Sequence, residues 1–79
     1  MNKSELACIL KQEGFRPDVY DLEGGLQYDR LCLREYRGMW SVYYSEFGLE
    51  SQKREFGSDE NAACEYLLKL LREDPTTRQ

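Results

Sequence analysis

Residues 39–47 show the clearest alternation of apolar and polar positions in the chain. Trp40, Val42 and Tyr44 fall on one face at period two, and the residues between them fall on the other. Because β-branched and aromatic residues dominate this stretch, it predicts a half-buried strand that is closed by a turn at Gly48. A large ring buries roughly 150–250 Å², so we expect the neighbouring elements to converge on the face of Trp40.

Helical spacing replaces this alternation near the start of the chain. An apolar stripe predicts a helix over residues 2–13, with Asn2 and Glu5 placed to form a capping box. Gly14 follows as a left-handed cap, after which Phe15 is expected to fold back on the last turn.

A wider apolar stripe predicts a second helix near the end of the chain. Ser58 is placed to cap this helix, and two acids follow where the helix dipole favours negative charge. Pro75 stops the helix, and residues 75–79 are expected to form a frayed tail. The stripe consists of Ala63, Cys64, Leu67, Leu68, Leu70 and Leu71.

Three further stretches predict strands. Residues 19–22 form a short first strand that ends at a glycine pair, and residues 29–37 form a second strand with alternating apolar positions. Arg37-Gly38 is short enough for a hairpin into the next strand. Residues 49–56 are polar and weakly patterned, which is typical of an edge strand protected by charge.

The predicted order of elements is therefore helix, three or four antiparallel strands, helix. The connections are short enough for neighbours to pair, and two amphipathic helices can cover one face of the sheet. This order predicts a two-layer α+β fold with both helices on one face. We expect residues 1–79 to form one domain, because a chain of this length has room for a single core.

The amino-acid composition argues against several kinds of catalytic and metal-binding site. The chain contains no histidine, which excludes the commonest general base, histidine-activated nucleophiles and most transition-metal sites. Cys8, Cys32 and Cys64 are odd in number and widely spaced, so neither a disulfide framework nor a zinc site is expected. We predict a protein that is not an enzyme, with no catalytic residue, no cofactor and no metal.

The sequence shows neither a targeting signal nor a membrane span. The first residues lack an apolar targeting segment, and no run of about 18 apolar residues is found that could cross a bilayer. We therefore expect a cytoplasmic protein that does not bind membranes. We expect it to be a monomer or a weak homodimer.

The net charge of −4 comes from one segment. Asp18, Asp21, Glu23 and Asp29 lie in a stretch without a single Lys or Arg, and the remaining 11 of the 15 acids balance the 11 bases of the chain. The whole charge imbalance therefore lies in a segment rich in turns.

Aromatic side chains accompany these acids, and carboxylates beside aromatic rings are typical of a surface that binds a basic partner. An equally weighted interpretation is a solvated loop that keeps the protein soluble, with Tyr20 in the core. Tyr43 is of interest because a tyrosine opposite Trp40 is either covered or available for binding. The candidate partner-binding residues are Asp18, Tyr20, Asp21, Glu23, Tyr28, Asp29, Tyr43 and Glu46.

Two other function classes fit the sequence less well. The order of elements is also that of double-stranded RNA-binding domains, whose second helix opens with lysines that contact phosphates. Here that stretch is Ser58-Asp59-Glu60-Asn61-Ala62, which is acidic, so no direct binding of nucleic acid is expected. An enzyme would need a carboxylate pair, such as Glu46 with Asp21 or Glu23, or a reactive thiolate, and no spacing supports either.

A set of segments resembles a known class of proteins. They are Tyr20-Asp-Leu-Glu-Gly-Gly25, Asp29-Arg-Leu-Cys-Leu33, Trp40-Ser-Val-Tyr-Tyr-Ser-Glu46, Phe56 and Glu60-Asn-Ala-Ala-Cys-Glu-Tyr-Leu-Leu68. Together they resemble the small immunity proteins of bacterial polymorphic toxin systems, over most of the chain from Phe15 to Leu71.

The resemblance implies a cytoplasmic protein that binds a cognate toxin domain, for example a nuclease, and neutralises it without catalysis. An acidic inhibitor suits a basic target because opposite potentials speed capture. The alternative is a small cytosolic adaptor or regulatory domain that binds some other protein. A toxin-like gene beside that of this chain favours the first function, and its absence favours the second.

Overall fold

The computed structural model describes residues 1–25 and 28–78. The helices and strands follow in the predicted order of helix, strands, helix, and they form a two-layer α+β fold. They are α1 (Lys3–Gln12), β1 (Tyr20–Asp21), β2 (Arg30–Tyr36), β3 (Met39–Glu46), β4 (Leu49–Gly57), α2 (Glu60–Glu73) and a short 3-10 helix (Pro75–Thr77).

The four strands form one sheet in the order β1-β2-β3-β4. The two hairpins are antiparallel as predicted, and β4 is an edge strand. The expectation of an entirely antiparallel sheet is wrong for β1, which pairs in parallel with β2 through Tyr20 and Leu31. β1 is only two residues long, so this parallel pairing is a short contact at the edge of the sheet.

Both hairpins close through two-residue turns in which both residues have positive φ. The angles are 52° at Arg37 and 80° at Gly38, and 52° at Phe47 and 79° at Gly48. This is the backbone of a type I′ turn, whose twist matches that of the flanking strands. The turns predicted at Gly38 and Gly48 are therefore confirmed.

The apolar core lies between the helices and one face of the sheet. Leu33 and Val42 from the sheet join Leu6 and Leu10 of α1 and the stripe of α2 in one buried cluster. Trp40 is half-buried and packs against this cluster. The expectation that the elements converge on Trp40 is therefore only partly right, because it lies near the β2–β3 turn at the border of the core, and Val42 is the β3 residue within the core.

Hydrogen bonds to side chains fix where both helices begin. The capping box of α1 is present, with Asn2 accepting from the backbone N–H of Glu5 and Glu5 accepting from that of Asn2. For α2 the predicted cap is wrong by one residue. Asp59 is the N-cap, since its carboxylate accepts from the N–H of Ala62 at 2.9 Å, whereas Ser58 is exposed outside the helix.

The end of the chain is docked, so the predicted frayed tail is wrong for residues 75–78. The Thr77 hydroxyl is buried and donates to the carbonyl of Leu71 at 2.7 Å. The guanidinium of Arg78 lies 4.7 Å from the centre of the Phe15 ring, and a backbone bridge joins the two residues. Contacts with distant residues therefore hold a segment whose composition alone predicts mobility.

Candidate functional site

The face of the sheet opposite the helices is covered at one end by the loop after β1. Cys32 and Tyr43 point to this face and are 0% and 1% exposed, yet they do not belong to the core under the helices. The Tyr43 hydroxyl donates to the carbonyl oxygen of Gly25 at 2.7 Å. Tyr43 is therefore covered, and its prediction as a partner-binding residue is wrong.

Arg34 extends this cover along the sheet. Its guanidinium lies 4.5 Å from the centre of the Tyr43 ring and forms an ion pair with Glu50. The ion pair lowers the pKa of Glu50 and raises that of Arg34. A Cβ atom on Gly24 would lie 3.2 Å from Cγ of Arg34, so the loop backbone passes directly over this side chain.

Burial beneath the loop affects the titration of the covered groups. It raises the pKa of the Cys32 thiol to about 11 and also raises the pKa of Tyr43. In the other layer, burial raises the pKa of Cys64 to about 11. Both thiols therefore stay protonated near neutral pH and are poor nucleophiles.

The structure separates the acids that the sequence places together. Asp18 forms an ion pair with Arg16 at 2.8 Å, and Glu23 forms one with Lys3 at 3.0 Å. Asp21 is half-buried and accepts from the backbone N–H of Glu23 at 2.8 Å. These carboxylates already have partners within the chain, as has the half-buried Tyr20, which packs against the core.

Three of the predicted residues lie at the end of the sheet that carries the β3–β4 turn. Tyr28 is 64% exposed. Asp29 is exposed, donates its N–H to the carbonyl of Ser45 at 2.8 Å, and accepts from the Tyr44 hydroxyl at 3.1 Å. Glu46 is exposed where β3 ends. Neither Asp29 nor Glu46 has an ion pair with any residue that the structure describes.

Two further exposed residues lie at this end of the sheet, and the sequence analysis did not identify them as candidates. Phe47, in the turn, is 74% exposed, and its ring centre lies 5.7 Å from that of Tyr28. Leu49 begins β4 and is 70% exposed. The available signal was Phe-Gly in a two-residue hairpin, a place where Asn-Gly or Asp-Gly is usual. We call Tyr28, Phe47 and Leu49, with Asp29 and Glu46 beside them, the tip patch.

The other end of the sheet carries a groove of about 610 Å³ on the face without helices. Tyr36 and Met39 are its exposed apolar side chains, at 63% and 57% exposure, and Ser41 is buried within it. Arg37 reaches over the Tyr36 ring at 5.3 Å. Arg34 and Lys53 also line the groove.

Within residues 1–25 and 28–78 the structure places no group of three or more His, Cys, Asp or Glu side chains that could hold a metal ion. Over the same residues, no helix has both the length and the apolar character that crossing a membrane requires. Among the described residues, the large exposed apolar side chains lie in the tip patch and along the groove.

Comparison of the chain with models of protein families, with curated proteins and with solved structures finds no match in any of the three. The resemblance to immunity proteins therefore stays a prediction. The function must be argued from the tip patch and the groove themselves.

Proposed function

We propose that this chain is a binding protein without catalytic activity, and that its tip patch captures a basic protein domain. The observation that carries the proposal is Phe47, an aromatic side chain that is 74% exposed at a backbone position with φ of 52°. Of the function classes considered, an inhibitor that neutralises a cognate bacterial toxin domain in the cytoplasm fits this surface best.

Phe47 is unfavourable to the free protein in two ways. A bulky residue with positive φ is strained, at a cost of about 1–3 kcal/mol, and an exposed ring of this size is not in a position to stabilise the core. Asn or Gly in the same turn would avoid both costs. A binding role accounts for the ring, because buried aromatic anchors supply much of the affinity of protein interfaces.

The residues around Phe47 indicate the chemistry of the partner. Tyr28 and Leu49 widen the apolar centre, and the carboxylates of Asp29 and Glu46 border it. An apolar centre with a charged border is the usual anatomy of a protein interface. Unpaired carboxylates on a chain of net charge −4 favour a basic target, since opposite potentials steer the encounter.

The sequence resemblance to immunity proteins favours one kind of binding protein, an immunity protein that is made beside its toxin. A basic toxin domain, such as a nuclease, is the target that the acidic border favours. Binding at or near the toxin's active site would then block access of its substrate.

The test is to capture the partner from the native host on immobilised full-length chain, identify it by mass spectrometry, and measure its affinity by calorimetry. Phe47→Asn should weaken binding by about tenfold or more, which corresponds to about 1.4 kcal/mol. The variant should melt no lower than the wild type, because Asn tolerates positive φ. Unchanged affinity would remove the tip patch from the interface.

Tyr36→Asn is the matched control, because Tyr36 is similarly exposed, at 63%, but lies at the opposite end of the sheet. This variant should bind the captured partner like the wild type. Equal losses for the two variants would contradict a role specific to the tip.

Charge reversal offers a second, independent measurement. Glu46→Lys should slow association and reduce its dependence on salt, since Glu46 borders the tip patch. Glu23→Lys is the control, because Glu23 lies elsewhere and is paired with Lys3. A slower association for Glu23→Lys alone would show that the partner contacts a different surface.

A further inference from the structure

The large apolar side chains left exposed on the described residues form two groups at opposite ends of β3. Tyr28, Phe47 and Leu49 belong to the tip patch, and Tyr36 and Met39 line the groove. β3 is eight residues long, which separates the two groups by about 23 Å. The two groups therefore cannot cover each other within one molecule.

The two groups have complementary shapes. The tip patch is built around a two-residue turn and projects from the end of the sheet. The groove is a concave space of about 610 Å³ on the face without helices. A projecting aromatic side chain such as Phe47 can enter a space of this size. The ring of Tyr36 and the thioether of Met39 offer favourable contacts there.

Their charges are also complementary. Asp29 and Glu46 bring carboxylates without ion pairs among the described residues to the tip patch, and Arg37 brings a guanidinium without such a pair to the groove. The other two cations that line the groove are already paired, Arg34 with Glu50 and Lys53 with Glu50 and Glu55, so Arg37 supplies the positive charge that a partner meets there. Contact between tip and groove would bring opposite charges together around an apolar centre.

We propose that two copies of this chain form a dimer in which the tip patch of each copy enters the groove of the other. A two-fold axis closes this arrangement, because each copy offers one tip and one groove. Both contacts then form at once, and the second becomes intramolecular, which compensates for the small area of each. The dimer is weak and reversible, because each contact joins only a few exposed side chains.

The dimer has a consequence that rests on the proposed function. Because the same tip patch would contact both the groove and the basic partner, the two events exclude each other. Dimer formation then stores the inhibitor with its binding surface covered, and partner binding releases the monomer.

Sedimentation velocity on the full chain, from micromolar to millimolar concentration, tests the dimer. The wild type should show a reversible equilibrium between monomer and dimer. Phe47→Asn at the tip and Met39→Glu in the groove should each remain monomeric. Ser4→Glu is the control for Met39→Glu, since it adds the same charge at an exposed position of α1, and it should dimerise like the wild type.

A monomeric wild type, or a dimer that survives both substitutions, overturns the proposal. Species larger than a dimer that grow with concentration overturn the two-fold closure. Circular dichroism of each variant verifies that it is folded.

Mixing the two variants gives the sharpest result. Phe47→Asn retains an intact groove and Met39→Glu retains an intact tip, so one of the two contacts can form between them. The mixture should associate more than either variant alone at the highest concentrations, although more weakly than the wild type, because one of the two contacts remains. A mixture that associates no more than the separate variants at millimolar concentration overturns the pairing of tip with groove.

The same variants separate this proposal from the proposed function. Met39→Glu leaves the tip patch intact, so it should bind the captured partner at least as tightly as the wild type while failing to dimerise. Normal dimerisation with no partner binding would refute the proposed function alone. Partner binding that needs Phe47, without any dimer of the wild type, would refute the dimer alone.

Discussion

The two faces of one sheet are buried by different means. On the helix side, Leu33 and Val42 pack among aliphatic side chains such as Leu67 and are 0% or 1% exposed. On the other side, Tyr43 is equally buried, but it lies beneath a loop to which its hydroxyl donates a hydrogen bond. The helix side gains stability from apolar area, whereas the loop side depends on a few specific polar contacts.

The difference also explains where the exposed surfaces lie. Two helices cover their face of the sheet with a continuous apolar layer. The described part of the loop after β1 lies over Tyr43 and Arg34 at one end of the opposite face, and the groove lies toward the other end. Both surfaces of interest, the tip patch and the groove, therefore lie outside the helix layer.

The largest effect is expected from Leu67→Ala on the helix side. Leu67 is fully buried in the core, and removing a buried leucine side chain costs about 2–5 kcal/mol. This is a large share of the stability of about 5–15 kcal/mol typical of a domain. Urea denaturation followed by circular dichroism measures it. A loss below that of the loop-side variant described below would reverse the comparison of the two faces.

Trp40→Ala should have an intermediate effect, because the ring is half-buried at the border of the core. We expect a loss of about 2 kcal/mol, below the ~3–5 kcal/mol of a fully buried aromatic ring. The same denaturation experiment measures this loss. A loss of about 3–5 kcal/mol would show that Trp40 lies at the centre of the core, as the sequence alone predicts.

Tyr43→Phe tests the loop side with a smaller change. It removes only the hydroxyl that donates to the carbonyl of Gly25, so the expected loss is about 1 kcal/mol. Amide exchange should quicken in the loop around Gly24 more than in α2. Equal acceleration in both regions would show that the loop is not held separately from the core.

The smallest effect concerns pH. Glu13 at the end of α1 forms ion pairs with Arg72 and Arg78, and the hydrogen bond from Arg72 is the main cause that lowers the pKa of Glu13. A carboxyl with a lowered pKa stabilises the fold above its ordinary pKa, and this contribution is lost as pH falls through the folded-state value. Glu13→Gln should therefore lower the melting temperature slightly at pH 7 and have little effect in strong acid. An equal loss at both pH values would attribute the effect to packing.

Much of the architecture could be predicted from local patterns. The capping box of Asn2 and Glu5 and the turns at Gly38 and Gly48 follow from the types of neighbouring residues, as does the strand predicted at residues 39–47, and the structure bears them out with the strand ending at Glu46. The parallel pairing of β1 could not be predicted in this way. It depends on the path of the loop, which contacts between distant residues decide.

The candidate site was only partly predictable for the same reason. A cluster of acids in the sequence indicates an acidic surface. In the structure, however, Glu23 forms an ion pair with the distant Lys3, and Asp18 forms one with the nearby Arg16. The sequence pattern places Phe47 at the end of a strand, and it does not predict the strain and exposure of a turn residue, because these are properties of the folded backbone.

Local patterns in the sequence suffice to predict the order of elements, the apolar faces of both helices and the positions of both hairpin turns, because each depends on residues within a few positions of one another. Folding in three dimensions is needed to show that Tyr43 is covered, that Arg78 docks on Phe15, and that the exposed apolar residues divide between a tip and a groove. These features arise from contacts between residues far apart in the chain, which local spacing does not encode.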